Sequence, residues 1–363
     1  MDRFLFVVGQ LGNGGLEKQL YYLCRQLLSE NKSVAVFGWN VTQNDFYFEK
    51  FKLILGDNLL IPPPESSSLK RLFILRKHVQ SFEPDSTVSF SAFTNFITSL
   101  SCIGAKTKVF GSLRTSLDFY FKKHGVKGII NIIVPNYILA NSEAAITEAN
   151  RRWFVPNSKM ILLQNVIDID EVNIKAKETT YPTVLGQINT ISIGNIRPAK
   201  RLDRLIELFK FIKDNFPEVR INHKHLGGGD VGILNESMRK EGLADYISTL
   251  GPIENVYPYL LSSSILLHFS DVEGASNVIM EAMALGKPVI STDCGDTKLY
   301  VENGLNGYIV RPFSPRGFFE KIMKISDDSQ YSQMISKNNI EKARKYDVRY
   351  LSTFFLNTIT KTS

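Results

Sequence analysis

Two glutamates, Glu273 and Glu281, bracket the stretch Gly274-Ala-Ser-Asn-Val-Ile-Met280, and their spacing bears most directly on chemistry. Ser276 or Asn277 reads as a helix N-cap, the helix runs through Met283, Gly286 ends it and Pro288 opens a buried strand. Glu281 then lies one turn into the helix, on the face of Asn277, while Glu273 sits in the loop that leads in. The unpaired amides of the helix start offer a place for an anion between the two carboxylates, and a phosphate fits that space. The plainer alternative is a capped core helix with two solvated glutamates, so the surrounding sequence has to decide.

These residues need a scaffold, and its outline is readable. The apolar run Phe4 to Val8, the loop Gly9 to Gly15 and a helix from Glu17 to Ser29 make the strand, glycine loop and helix that open a doubly wound domain. Ser33 to Trp39, Thr87 to Phe90, Lys108 to Leu113 and Tyr137 to Ala140 read as further buried strands between helical stretches, which makes the class parallel α/β. Lys175 to Pro182 reads as a polar linker. The pattern restarts with a strand at Thr190 to Gly194, a helix from Asp203 to Asn215, a strand from Val219 to Leu226 that runs into Gly227-Gly-Gly229, and a strand at Ile265 to Phe269. The expected organisation is one domain over residues 1–180, a second over 181–345, and a C-terminal segment 346–363. Tyr350 to Ile359 of that segment form an amphipathic helix free to pack back on a domain, the N-terminal one preferred.

A chain of 363 residues, 44% of them hydrophobic, has core enough for two such domains. Residues 66–130 hold ten Lys or Arg against three Asp or Glu, so this window alone carries the chain's net charge of +7. Such a window suits phospholipid head groups, a lipid-diphosphate acceptor or nucleic acid, with a solvated face as the bland alternative. Ser68 to Val79 and the stretch from Tyr120 to Ile133 mix basic and apolar side chains as a membrane-surface helix does. Cys24, Cys102 and Cys294 are odd in number and far apart, which argues against a disulfide framework or zinc knuckle and for a reducing compartment. The first apolar run is too short for a signal peptide, and no run reaches about 18 apolar residues. The expectation is a cytoplasmic protein, free or peripheral on the inner face of the membrane.

Four features recur in order: the loop Gly12 to Gly15, the segment Gly194-Asn-Ile-Arg-Pro-Ala-Lys-Arg201, the strand exit Leu226-Gly-Gly-Gly229, and the paired glutamates. Together they resemble glycosyltransferase family 4 among the glycosyl transferases of group 1, which are retaining enzymes of the GT-B fold. Ala140 to Glu143 and Leu163 to Asp168 look like that family's linking motifs, so the resemblance spans most of the chain. It implies two Rossmann-like doubly wound domains facing a central cleft, the N-terminal one for the acceptor and the C-terminal one for the nucleotide-sugar. The implied reaction moves a sugar from a nucleoside-diphosphate sugar, a UDP-sugar by preference, to a hydroxyl of a saccharide or lipid-diphosphate-linked saccharide in cell-surface polysaccharide or glycolipid assembly. No metal and no cofactor are implied, the nucleotide-sugar being a substrate.

By the same resemblance, Arg197 and Lys200 grip the donor diphosphate, the amides of Asn277 and Val278 assist them, and Glu281 receives the ribose hydroxyls. Glu273 and Gly274 lie near the donor sugar, Gly14 and Gly15 let backbone approach the diphosphate, and Gly251 and Ile253 lie against the base. The chain departs from the pattern twice. Arg114 stands where many members carry a histidine, which leaves it for the sugar or acceptor site, and Cys294-Gly-Asp296 replaces a glycine pair followed by an acid.

Other readings compete locally. Asp168-Ile-Asp170 spells a metal-binding Asp-x-Asp but sits in a linking motif, and His223, His225 and His268 read as core or rim histidines rather than ligands. Glu273 and Glu281 could serve a glycoside hydrolase, which leaves Arg197, Lys200 and the glycine loops unexplained. The basic N-terminal half could serve a nucleic-acid-binding module, but it lacks an interleaved aromatic and basic recognition motif, so no nucleic-acid partner is expected.

Overall fold

The computed structural model describes residues 2–360 apart from Pro182 and Leu185, so the end of the expected linker and the last three residues of the expected C-terminal segment lie outside the described residues. The chain forms two compact units, residues 1–166 with 348–363, and residues 167–347.

The first unit is built on seven parallel strands: β1 (Arg3–Val8), β2 (Ser33–Gly38), β3 (Leu59–Leu60), β4 (Ser86–Ser89), β5 (Lys108–Leu113), β6 (Tyr137–Ala140) and β7 (Met160–Leu162). Their order in the sheet is β3-β2-β1-β4-β5-β6-β7, a doubly wound arrangement whose direction of winding reverses between β1 and β4. Continuous apolar runs form such strands because both faces are covered. In β1, Phe4, Phe6 and Val8 face the cluster of Leu20, Leu23 and Leu27 from the helix Gly15–Ser29, while Leu5 and Val7 face Leu75 and Val79 of the helix Ser68–Phe82. The helix Leu351–Thr360 belongs to this unit, with the fully buried Phe355 ring 5.6 Å from Phe4 and 5.9 Å from Phe6. The stretch Leu117–Ile133 is helical on both sides of a break at Gly125, whose φ of 54° a side chain would strain.

The second unit carries β8 (Ile188–Ile193), β9 (Ile221–Leu226), β10 (Ile247–Thr249), β11 (Ile265–His268), β12 (Val289–Thr292) and β13 (Gly307–Val310), again all parallel, in the order β10-β9-β8-β11-β12-β13. Its winding reverses between β8 and β11. The loops that leave the carboxyl ends of those two strands therefore sit side by side, where open α/β sheets hold their ligands.

Residues 167–180 fold with the second unit, so the division falls earlier than the linker composition suggested. Asp168 caps the helix Ile169–Ala176, which buries Val172 and Ala176 in one cluster with Tyr257 and Leu260, and Ile167 bridges to Asp347. The polarity that looked like a linker is the exposed run Lys177 to Thr180 beyond this helix.

Candidate functional site

The site is built on the two loops at the β8/β11 reversal. After β8 the chain passes through Gly194 into the short turn Pro198–Lys200, and after β11 it runs through Ser270 to Gly274 before the helix Asn277–Ala284. Asp271 N donates to Ala199 O at 2.9 Å and joins the loops, and the Asp271 carboxylate takes Arg201 and Arg204, each at 2.6 Å. Glycine is required where backbones crowd. A Cβ on Gly227, at φ +156°, would lie 2.0 Å from Gly194 O, so the strand exit Leu226-Gly-Gly-Gly229 lets the β8 and β9 loops touch.

Within this frame Lys200 Nζ donates to Glu273 Oε1 at 2.5 Å, which brings together two of the residues singled out from the sequence. The third partner was missed. His268, the last residue of β11, puts Nε2 3.6 Å from Glu273 Oε1, 3.3 Å from Ser270 Oγ and 3.4 Å from Ser276 Oγ, while Nδ1 lies 3.0 Å from Ser291 Oγ. Burial alone would raise the Glu273 carboxyl, but the His268 hydrogen bond and the charges of Lys200 and His268 hold it well below the usual carboxylate range. Burial likewise opposes a charge on His268, yet its hydrogen bonds to Cys294 and Glu273 raise it above an ordinary histidine. The apolar setting Ile265-Leu-Leu-His-Phe269 made His268 read as core; its place at a strand's carboxyl end, five residues before Glu273, was the available signal.

Glu281 lies in the helix Asn277–Ala284, which is buried all round by Val278, Ile279, Met280, Ala282 and Met283. The residue is 8% exposed, and its carboxylate takes a hydrogen bond from Tyr257 OH at 3.3 Å. Ser276 occupies the N-cap with extended backbone, but its hydroxyl serves His268 instead of capping the helix. Ser276 therefore gives the helix start no side-chain cap, an arrangement found where helix starts bind anions. Gly274 O accepts from Asp296 N at 3.0 Å, and Gly295 must be glycine because its Cβ would lie 2.4 Å from that oxygen. The Cys294-Gly-Asp296 departure is thus built into the wall of the Glu273 loop.

The remaining predicted residues are placed as follows. Arg197 has extended backbone before the Pro198 turn and an exposed side chain, which among the described residues makes no hydrogen bond or ion pair, so no bond ties it to the Lys200–Glu273 pair. Gly251, at φ +70°, accepts from Gly227 N at 2.8 Å, and half-buried Ile253 packs against the apolar cluster that includes Tyr257. Gly14 and Gly15 open the first helix of the other unit, where a Cβ on Gly14 would lie 2.3 Å from Glu17 Oε2. Burial pushes the Glu17 carboxyl up to about 7, a second group the sequence reading passed over. Arg114 follows β5 in that unit, with Nη1 3.3 Å from Asn165 Oδ1 and its guanidinium 4.3 Å from the Phe90 ring; burial pushes it down to about 10.

The competing readings lose their footing. Asp168 Oδ1 caps its helix by accepting from Glu171 N at 2.9 Å, so the Asp-x-Asp is a helix start. His223 lies buried between Thr190 Oγ1 and Ser192 Oγ, each at 2.9 Å, and His225 lies 2.8 Å from the same Ser192 hydroxyl; burial holds both well below the ordinary histidine value. Among the described residues no group of three or more His, Cys, Asp or Glu could hold a metal ion. A glycosidase needs one carboxyl held up as an acid, and Glu273 is held down. Of the ten basic side chains offered to nucleic acid, Arg71 is spent on the carbonyls of Trp39, Pro64 and Ser66, Arg76 on that of Ile103, and Arg114 is half-buried over Phe90 and beside Asn165.

Comparison with known proteins bears on the same segment. Residues 176–342, which contain Arg197, Lys200, Glu273 and Glu281, match the family described as glycosyl transferases group 1. An uncharacterized glycosyltransferase of Methanocaldococcus jannaschii is 23% identical over 329 residues, covering 77% of this chain and 80% of its own. A Campylobacter jejuni α-1,4-N-acetyl-D-galactosaminyltransferase, named for a diphospho-undecaprenol-linked saccharide, is 21% identical over 99% of both chains. Among solved structures, Anabaena HepE in complex with UDP-glucose superposes with a TM-score of 0.79 over 99% of both chains at 17% identity. The two parallel-sheet, Rossmann-like units are those of the GT-B glycosyltransferases. The matched segment and these relatives together support the glycosyltransferase superfamily, the match to group 1 lying in the C-terminal half of the chain.

Proposed function

We propose that the chain is a retaining, metal-independent glycosyltransferase that moves a sugar from a UDP-sugar to a hydroxyl of a lipid-diphosphate-linked saccharide during cell-surface polysaccharide or glycolipid assembly. The Lys200–Glu273–His268 chain at the β8/β11 reversal, beside an uncapped helix start, is its main support. An ammonium beside a helix start that its N-cap side chain leaves uncapped suits a diphosphate leaving group. In this reading Lys200 and Arg197 hold the charge that grows on the departing phosphate, so the step needs no divalent cation, and activity should survive EDTA unchanged. Asn277 and Val278 add their amides, Glu281 takes the ribose hydroxyls, Gly251 and Ile253 line the base, and Gly14 and Gly15 admit the diphosphate to backbone contact. Glu273, fixed as an anion, faces the sugar with Gly274.

The front-face step is balanced as follows. The bond from the anomeric carbon to the phosphate oxygen breaks, the acceptor oxygen bonds that carbon on the same face, and the acceptor proton passes to the departing phosphate oxygen. An inverted product anomer, read by proton NMR, would overturn retention. The donor reading draws on HepE, whose complex holds UDP-glucose, and the acceptor reading on the Campylobacter relative's diphospho-undecaprenol saccharide.

The donor assignment has a direct test. In a thermal-shift panel, UDP-glucose and UDP-N-acetylglucosamine should raise the melting temperature, with about 2.7 kcal/mol of stabilisation at a hundredfold excess over Kd. GDP-mannose and ADP-glucose should not, and Glu281→Gln should remove most of the UDP-sugar response. A response to GDP-mannose alone would refute the choice of base.

A face of the first unit that mixes exposed lysines with exposed apolar side chains supports the lipid acceptor. Lys70, Lys77, Lys106, Lys122, Lys123 and Lys127 are exposed, and among them stand Leu69, Phe73, Phe96, Ile103 and Val126, also exposed. They lie on the helices Ser68–Phe82, Asn95–Ser101 and Leu117–Ile133, which pack in sequence, and on the turn after the second of them. Among the described residues no helix is long and apolar enough to cross a membrane, so the proposed attachment is peripheral, on the cytoplasmic face. Vesicles with 30% anionic lipid should sediment the protein at low salt and release it near 0.5 M salt, since the Debye length shrinks to a few ångströms. Equal binding to neutral vesicles would defeat the electrostatic part of this reading.

A further inference from the structure

We infer that Arg114 is an oxyanion-binding residue of the first unit, and that it recognises a carboxylate or phosphate carried by a saccharide. The inference rests on the transfer reading only for the saccharide; the anion site itself stands on the geometry of one unit.

Arg114 leaves the carboxyl end of β5, between Phe90 after β4 and Asn141 after β6, whose backbone N–H donates to Leu113 O at 3.2 Å. The guanidinium is fixed twice, by Phe90 under its plane at 4.3 Å and by Asn165 Oδ1 at 3.3 Å from Nη1. Its other edge is unspent. Nε and Nη2 are both buried and have no hydrogen-bond partner, and the buried Oδ1 of Asn141 also lacks one. No acidic side chain among the described residues pairs with Arg114.

An uncompensated buried cation is costly, and a chain that needed only packing here would be served as well by an uncharged side chain of similar size. The arrangement makes sense once a ligand is counted. Nε–H and Nη2–H lie parallel on one edge of a guanidinium, the pair that grips two oxygens of a carboxylate or phosphate at once. With the plane held by Phe90 and the opposite nitrogen held by Asn165, that edge needs no reorganisation to bind. Asn141 Oδ1 is an acceptor and suits a saccharide hydroxyl next to the anionic group. A lysine would not replace Arg114, because an ammonium cannot make the two parallel bonds.

Three probes separate the possible sources of the anion: D-glucuronate for a sugar carboxylate, glucose 6-phosphate for a sugar phosphate, and inorganic phosphate for a free ion, with glucose as the neutral control. Calorimetric titration of the full chain should give at least one anionic sugar an affinity roughly ten- to hundredfold above glucose, the worth of a charge-assisted bond pair. Arg114→Gln should erase that difference, Arg114→Lys should lose most of it, and Lys200→Ala should keep it. Binding of inorganic phosphate as tight as either sugar, a difference that survives Arg114→Gln, or one lost only in Lys200→Ala would each overturn the proposal. Arg114→Met, which keeps the packing on Phe90, should melt no lower than the wild type in phosphate-free buffer, whereas a drop of several degrees would assign Arg114 a structural role instead. UDP stabilisation measured on the same samples reports separately on the transfer reading, and its absence would refute that reading without touching the anion result.

Discussion

Lys200→Ala should lower turnover roughly 10²- to 10³-fold, equivalent to about 2.7–4 kcal/mol of transition-state stabilisation. Among the described residues the ammonium is the only side-chain cation bonded to Glu273 other than His268, and it is fixed by that bond at the end of a turn that the loop after β11 clasps through Ala199. A charge held in place before the reaction stabilises a departing diphosphate without reorganisation, so its loss should fall on kcat more than on KM. Removing it also leaves the Glu273 carboxylate with His268 as its charged partner and should let the Glu273 pKa climb. Glu273→Gln in the Lys200→Ala background should therefore cost less than it does alone, because the two side chains share one bond. Wild-type kcat in Lys200→Ala, measured well below the melting temperature, would remove Lys200 from the chemistry.

Phe355→Ala should destabilise the first unit by about 3–5 kcal/mol, the usual loss for emptying a fully buried aromatic site. Phe355 meets Phe4 edge-on and lies tilted against Phe6, both of β1, in the cluster that also holds Leu351 and Ile359. An interior strand of the sheet thus relies on a ring about 350 residues further along the chain. Two units rule out a single two-state fit, so the measurement is the denaturant transition of the first unit. Tryptophan fluorescence reports it, because both tryptophans, Trp39 and Trp153, lie there. A transition midpoint unchanged in Phe355→Ala would mean the C-terminal helix does not hold this core.

Where the sequence carried a period or a sustained apolar run, the architecture was legible. β5 and β6 begin and end at the residues read for them, and the helix ending at Ser29 begins two residues earlier than read. β3, β7 and β10 were not read, since two or three residues leave no pattern to separate a strand from a loop, and β13 was not read either. Lys200 and Glu273 are 73 residues apart, and only the parallel pairing of β8 with β11 makes them neighbours. Spacing gave Glu281 its place on the helix; nothing local gave His268 its second role. For Arg114 the sequence gave a departure from a family pattern, whereas its meaning depends on which guanidinium nitrogens are satisfied, and that depends on Phe90 and Asn165 in three dimensions.

The way the chain divides has a consequence for how it is made. Residues 167–347 are one continuous piece, complete as soon as Asp347 has been synthesised, whereas the unit begun by the first residue has a gap in its core until residues 351–360 follow. On a ribosome the later piece can finish before the earlier one. The core of the first unit is then closed by the seating of one short apolar helix against β1, and a nascent chain arrested just short of Leu351 would present the exposed faces of Phe4 and Phe6 to the cell.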